Sequence, residues 1–154
     1  MSLKHVFSAA LQWPTPPAST SGDKSSKTHQ VSIHGKQDLN ISAAKAFKGD
    51  GSLYNPEDLL LTSLMSCHMM SYLYVCGKHN IEVFSYVDNA TALLETYPDG
   101  SGKIIEVRLE PHTIISDSAH IDLALSFHEQ ANKLCFIANS CNFTIIHTPS
   151  CAAR

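Results

Sequence analysis

The chain has 154 residues, a formal net charge of −3 and five cysteines. Its length suits a single domain over residues 1–154, and 44% hydrophobic content is enough for a packed core without disulfide staples. Eleven basic residues against 14 acidic ones argue against phosphate neutralisation on nucleic acid and against a polybasic membrane-surface role. No apolar run approaches the ~18 residues of a membrane span. Met1–Ala10 lacks the basic-then-apolar order of a secretory signal, so the expected setting is the cytoplasm. There, cysteines are free, catalytic or metal-bound rather than cross-linked. Arginine is scarce: only Arg108 and Arg154 occur, against nine lysines.

His5–Trp13 reads as an opening strand, stopped by Pro14-Thr15-Pro16-Pro17. Ala18–Lys27, rich in Ser and Lys, reads as a mobile loop. Gln30–His34 and Leu39–Ala43 flank a turn at Gly35–Asp38 and predict a short hairpin. Ala44–Tyr54 is loop again. The clearest element begins at Asn55, an N-cap, with Pro56 at the first helical position and Glu57 and Asp58 complementing the helix dipole. Leu59–Val75 contains no Asp, Glu, Lys or Arg, so the spacing predicts a central helix buried on nearly all faces, ending near Gly77 or His79.

Ile81–Tyr97 and Lys103–Thr113, joined by Pro98–Gly102, predict a long hairpin. Asp117 or Ser118 caps a second helix running to about Asn139, and Phe143–His147 is a final strand. The order β-ββ-α-ββ-α-β predicts an α+β protein: antiparallel sheets wrapped around a long buried central helix.

Cys67 lies within the central helix. Alone, it reads as readily as a small core hydrophobe. Cys76 stands half a turn out of phase and ~13.5 Å along the axis, too far for a disulfide in an intact helix. A redox partner must come from another element, and Cys135 on the second helix is the natural candidate. A core cysteine is the other reading of that position. Cys76 and His79 can share a helix face, but a structural zinc takes four ligands in a recognisable spacing, so no metal site is expected. Cys141 is a competing partner or a bystander thiol. Tyr72, Tyr74 and Phe84 read as core or as lining of an apolar channel.

The block Asn55-Pro56-Glu57-Asp58-Leu59-Leu60-Leu61, followed by Ser66-Cys67, resembles the signature of the OsmC/Ohr superfamily. So does a second cysteine on a later helix, in Cys135-Phe136-Ile137-Ala138-Asn139-Ser140. The second block is closer to an OsmC-like branch: organic hydroperoxide resistance proteins usually carry His three residues before that cysteine and Pro after it, where this chain has Asn132 and Phe136. The resemblance implies a thiol peroxidase of oxidative stress defence that reduces organic hydroperoxides. Cys67 matches the peroxidatic cysteine and Cys135 the resolving one. It implies no metal, flavin or other bound cofactor, an external dithiol reductant of the lipoyl type, and an intertwined homodimer.

In that family an N-terminal arginine, held by the glutamate that matches Glu57, activates the thiol. Here no arginine precedes Arg108, and the nearest cationic candidates are Lys24, Lys27 and His68. A straight helix places Glu57 ~15 Å from Cys67, so a shared site requires a second chain. The departures at arginine, Asn132 and Phe136 define an alternative: an OsmC-like stress or small-ligand-binding protein with little peroxidase activity. A thiol-dependent hydrolase or transferase is the third reading, open until His68 is placed in space.

Overall fold

The computed structural model describes residues 2–14 and 27–154. The expected Pro-rich stop from Thr15 onward and most of the Ser/Lys-rich loop, Lys24 included, lie outside the described residues. The chain divides into two compact units, Met1–Leu59 and Leu60–Arg154.

The first unit holds one antiparallel sheet in the order β1-β2-β3, from Ala10–Gln12, His29–Ser32 and Leu39–Ile41. The opening strand is therefore three residues long rather than nine, and its residues are exposed. β2 and β3 form the expected hairpin, pairing His29 with Ile41 and Val31 with Leu39. Gly35 sits in its turn at φ 76°, where a residue without Cβ is unstrained. β3 leads to a backbone bond from Ser42 N–H to the Tyr54 carbonyl (2.9 Å), next to the start of helix α1, Pro56–Lys78. Asn55 Oδ1 accepts from Asp58 N–H (2.9 Å), and Asp58 Oδ2 accepts from Asn55 Nδ2 (2.7 Å). This reciprocal cap satisfies donors that the first turn otherwise leaves open.

The second unit contains most of α1 and two mixed sheets. The long hairpin is present, but each arm breaks in two. The first arm becomes β4 (Val83–Asp88) and β5 (Thr91–Thr96), and the second becomes β6 (Gly102–Leu109) and β7 (Pro111–Ile115). β4 pairs with β7 and β5 with β6, both antiparallel. Asp88 Oδ1 accepts from Glu110 N–H at the break (2.8 Å), tying the two arms where they change sheet.

After α2 (Ile121–Leu134) and α3 (Phe136–Asn139), two further strands join in parallel: β8 (Thr144–His147) beside β6, and β9 (Ser150–Ala153) beside β7. Thus the sheets are not wholly antiparallel, and β9 was not expected. Its short Ser-Cys-Ala-Ala run carries no alternation of its own; pairing with β7 makes it a strand.

Helix α1 ends at Lys78, one residue beyond Gly77. Ile81 N–H bonds the Cys76 carbonyl (3.0 Å) and Asn80 N–H the Gly77 carbonyl (3.2 Å), with Asn80 at φ 56°. This left-handed cap on Asn80, rather than the glycine, stops the helix. The helix departs from the expectation of burial on nearly all faces. Within this chain only the stripe Leu64, His68, Tyr72, Val75 and Cys76 is buried. Leu60, Met70, Leu73 and Tyr74 are exposed, Met70 and Tyr74 by more than half (58% and 57%).

By length and composition α1 is also long and apolar enough to cross a membrane, which corrects the expectation of no such run. The buried stripe serves two cores. Leu64 packs with Val107, Leu109 and Cys135, while Tyr72, Val75 and Cys76 pack with Ile81, Ile115, Ala124, Phe127 and Ala131.

Candidate active site at Cys67 and Cys135

Cys67 and Cys135 come together in the second unit. Cys67 lies in the middle of α1, half-buried against the core cluster that contains Cys135. Cys135 is completely buried. It is not inside a continuous second helix, as expected, but in the break between α2 and α3, in extended backbone at φ −73°, ψ 111°. The break turns its side chain into a cap: Cys135 Sγ accepts from Ala138 N–H at 3.3 Å.

The Cys135 thiol is pushed up to about 11, first by burial and then by its hydrogen bond to Cys67, against the lowering effect of the Ala138 and Ile137 amides. Its raised value keeps Cys135 protonated at neutral pH. Both thiols are free. The arrangement is two thiols in direct contact, one screened from solvent and one facing out.

Cys67 opens into a cleft of about 480 Å³ lined also by Met70, Ser71, Tyr74, Leu134 and Phe136. Cys67, Met70, Ser71 and Tyr74 fall at i, i+3, i+4 and i+7, one face of a helix. That spacing is legible in the sequence: Tyr74 takes the channel-lining place expected as one of its two readings, while Met70 and Ser71 are lining residues the sequence reading did not name. The walls are a thioether, an aliphatic and two aromatic side chains, suited to an apolar substrate.

The remaining candidates fall elsewhere. Glu57 is half-buried in the first turn of α1, and its Oε2 has no hydrogen-bond partner. Because α1 is unbroken, ~15 Å of helix rise separates Glu57 from Cys67 within one chain. His68 turns away from the cleft. Its Nε2 lies 3.0 Å from His128 Nδ1, and its ring stacks on His147 with centroids 4.6 Å apart. Burial, with the neighbouring imidazoles, lowers His68 to about 3 and His128 to about 4. His68 is therefore neutral at physiological pH and brings no positive charge to Cys67.

Arg108 Nε bonds Glu106 Oε1 at 2.7 Å on an exposed strand face, and the Arg154 guanidinium lies over the Phe84 ring at 4.7 Å. Lys27 Nζ donates to the Phe47 carbonyl (2.6 Å) in the first unit. Tyr72 is core, Tyr74 lines the cleft, and Phe84 is exposed beneath Arg154. Cys141 is half-buried with its thiol raised by burial. His79 packs on Phe127 (4.6 Å), while Cys76 is in the core. Among the described residues no three His, Cys, Asp or Glu side chains assemble to hold a metal ion.

The profile of the OsmC-like protein family matches residues 49–148, a span containing Glu57, Cys67 and Cys135. The chain belongs to the OsmC-like family. No curated protein matches it. Among solved structures it is similar to an OsmC-like protein of unknown function from Vibrio cholerae, at 25% identity and a TM-score of 0.83, over 95% of this chain and 99% of that one. It also resembles an organic hydroperoxide resistance protein from Elizabethkingia anophelis, with 16% identity and a TM-score of 0.71 over the whole of both chains. A third similar structure is the organic hydroperoxide resistance protein of Bacillus subtilis, at 16% identity and a TM-score of 0.65 over 96% and 98%. The last two, at their low identities, speak for the OsmC/Ohr fold.

Proposed function

We propose that this OsmC-like chain is a thiol-dependent peroxidase that reduces organic hydroperoxides through Cys67 and Cys135. The observation that carries the reading is the meeting of the two cysteines in one core cluster, with Cys67 opening into an apolar cleft. The Cys67 sulfur, as thiolate, attacks the distal peroxide oxygen. The O–O bond breaks, the alkoxide leaves and takes up a proton as alcohol, and Cys67 becomes a sulfenic acid. Cys135 sulfur then attacks the Cys67 sulfur, the S–O bond breaks, and water leaves with the Cys135 proton. An external dithiol, of the lipoyl type, returns both thiols by exchange. No bound cofactor enters the cycle.

The order of roles follows from exposure. Cys67 meets the cleft, whereas Cys135 is buried and protonated until its partner is oxidised. The two amides that lower the Cys135 thiol, those of Ala138 and Ile137, stabilise its sulfur as charge develops in the second step.

The working unit in this reading is a homodimer in the cytoplasm. Supporting it are the exposed Leu60, Met70, Leu73 and Tyr74 along α1, an apolar face on an element expected to be buried. The unpartnered Glu57 Oε2 gives that residue a positioning role in a partner's site. A specific observation favours the second reading, a small-ligand-binding protein of the same family. Both arginines are engaged away from Cys67, so neither supplies the charge that activates the family thiol.

One assay separates the two readings. Consumption of cumene hydroperoxide and hydrogen peroxide is followed with dihydrolipoamide or thioredoxin as reductant. The peroxidase reading expects turnover with dihydrolipoamide and preference for cumene hydroperoxide. Peroxide loss no faster than with free thiol establishes the binding reading instead.

A further inference from the structure

Three features of the second unit lie outside the Cys67 site: the stacked imidazoles, the cleft beside Asp88 and Tyr86, and the remaining cysteines. The cysteines carry the furthest. Cys76, in the last turn of α1, is 1% exposed in the core cluster formed with Tyr72, Ile115 and Phe127. Cys151, on β9, is half-buried and packs against that same cluster.

The strand register accounts for the meeting. β9 lies parallel to β7 with Cys151 opposite Thr113, and Thr113 Oγ1 faces Tyr72 Oη at 3.5 Å. Tyr72 and Cys76 are one helical turn apart on the buried stripe of α1 and lie in the same core cluster. The Cys76 thiol is raised first by burial, and Cys151 is close enough to raise it further by like-charge repulsion. Thus two thiols 75 residues apart in the chain pack into one core cluster.

We infer that Cys76 and Cys151 form a second redox couple, which a hydroperoxide converts to a disulfide joining the end of α1 to β9. The more exposed Cys151 sulfur, as thiolate, attacks the distal oxygen of the hydroperoxide. The O–O bond breaks, the alcohol leaves with a proton, and a sulfenic acid forms on Cys151. Cys76 sulfur then attacks the Cys151 sulfur, the S–O bond breaks, and water carries away the Cys76 proton. The two sulfurs together lose two electrons and the peroxide gains them. Because Cys76 is buried and held as the thiol, this second step is slow, which suits a modification made under sustained oxidation rather than a catalytic cycle. The cross-link closes a long loop and holds β9, the terminal strand, in its sheet.

The inference is independent of the role of Cys67, and the test removes that residue. The variant Cys67→Ser/Cys135→Ser/Cys141→Ser keeps only Cys76 and Cys151. It is incubated with tert-butyl hydroperoxide, alkylated in denaturant and digested. The expected result is loss of both free thiols, a Cys76–Cys151 linked peptide by tandem mass spectrometry, and a Tm that rises and returns with dithiothreitol. The unsubstituted chain, oxidised in parallel, carries the same linked peptide and guards against misfolding of the variant. Full alkylation of Cys76 and Cys151 after oxidation in both proteins overturns the inference.

Discussion

The buried Cys135 and the half-buried Cys67 meet in one core cluster, and that contact joins the middle of α1 to the break between α2 and α3. One member faces a cleft and the other faces the core, so the pair is chemically unequal before any oxidant arrives.

Substitution of either thiol therefore has a distinct outcome. Cys67→Ser is expected to abolish hydroperoxide consumption. Cys135→Ser leaves the first attack intact and stops after about one equivalent of peroxide, with a sulfenic acid trapped on Cys67 by dimedone. Unchanged steady-state turnover in Cys67→Ser removes the peroxidase reading.

In the proposed reaction, Tyr74 and Phe136, which line the cleft, contact the apolar group of the substrate. Tyr74→Ala removes an apolar contact worth about 1–2 kcal/mol, so KM for cumene hydroperoxide is expected to rise about 5- to 30-fold. Hydrogen peroxide, which makes no such contact, shows no matching change. Parallel kinetics with the two peroxides check this.

The imidazole stack makes stability pH-dependent. His68 titrates at about 3 and His128 at about 4 in the folded chain, against 6.5 for an ordinary histidine. Between those values the unfolded chain binds more protons than the folded one. Stability is full above pH 6.5, falls as pH drops below it, and levels off only near pH 3. The urea midpoint is expected to decline steadily from pH 6.5 to 4, and His128→Gln, which removes one titrating ring, flattens the decline.

Both ends of α1 are held by asparagine. Asn55→Ala loses the cap on Asp58 N–H and is expected to cost about 1 kcal/mol in chemical denaturation. Asn80 stands at φ 56°, so Asn80→Gly is tolerated while Asn80→Ala costs about 1 kcal/mol. Equal stabilities for the Gly and Ala variants contradict the left-handed cap.

The exposed face of α1 predicts self-association. Leu73→Glu places a charge on that face without touching Cys67 or its cleft. Light scattering is expected to give a dimer mass for the unsubstituted chain and a monomer mass for the variant. A monomer in both cases removes the dimer from the proposed function.

Much was legible in the residues. The Asn55–Asp58 block marked the start of α1 because cap chemistry is local: the acceptor, the donor and the dipole all lie within one turn. The alternation of Lys103–Thr113 marked a strand for a similar reason. The break at Cys135 was not legible. Leu134, Cys135 and Phe136 are compatible with continued helix, and the interruption comes with burial of Cys135 among Leu64, Val107 and Leu109 from distant elements. Likewise β9 exists only because β7 offers it an edge.

By itself, the sequence determined the central helix, its N-terminal cap, the α+β order and a cysteine at the motif position, since each depends on spacing within a few residues. It also showed that only two arginines exist. Only the tertiary structure decided which thiols meet. Cys67 pairs with Cys135, and Cys76 shares its core with Cys151, because sheet register and helix packing bring together residues 68 and 75 positions apart. It also decided that His68 is neutral, since burial among other imidazoles removes the water that stabilises its charged form.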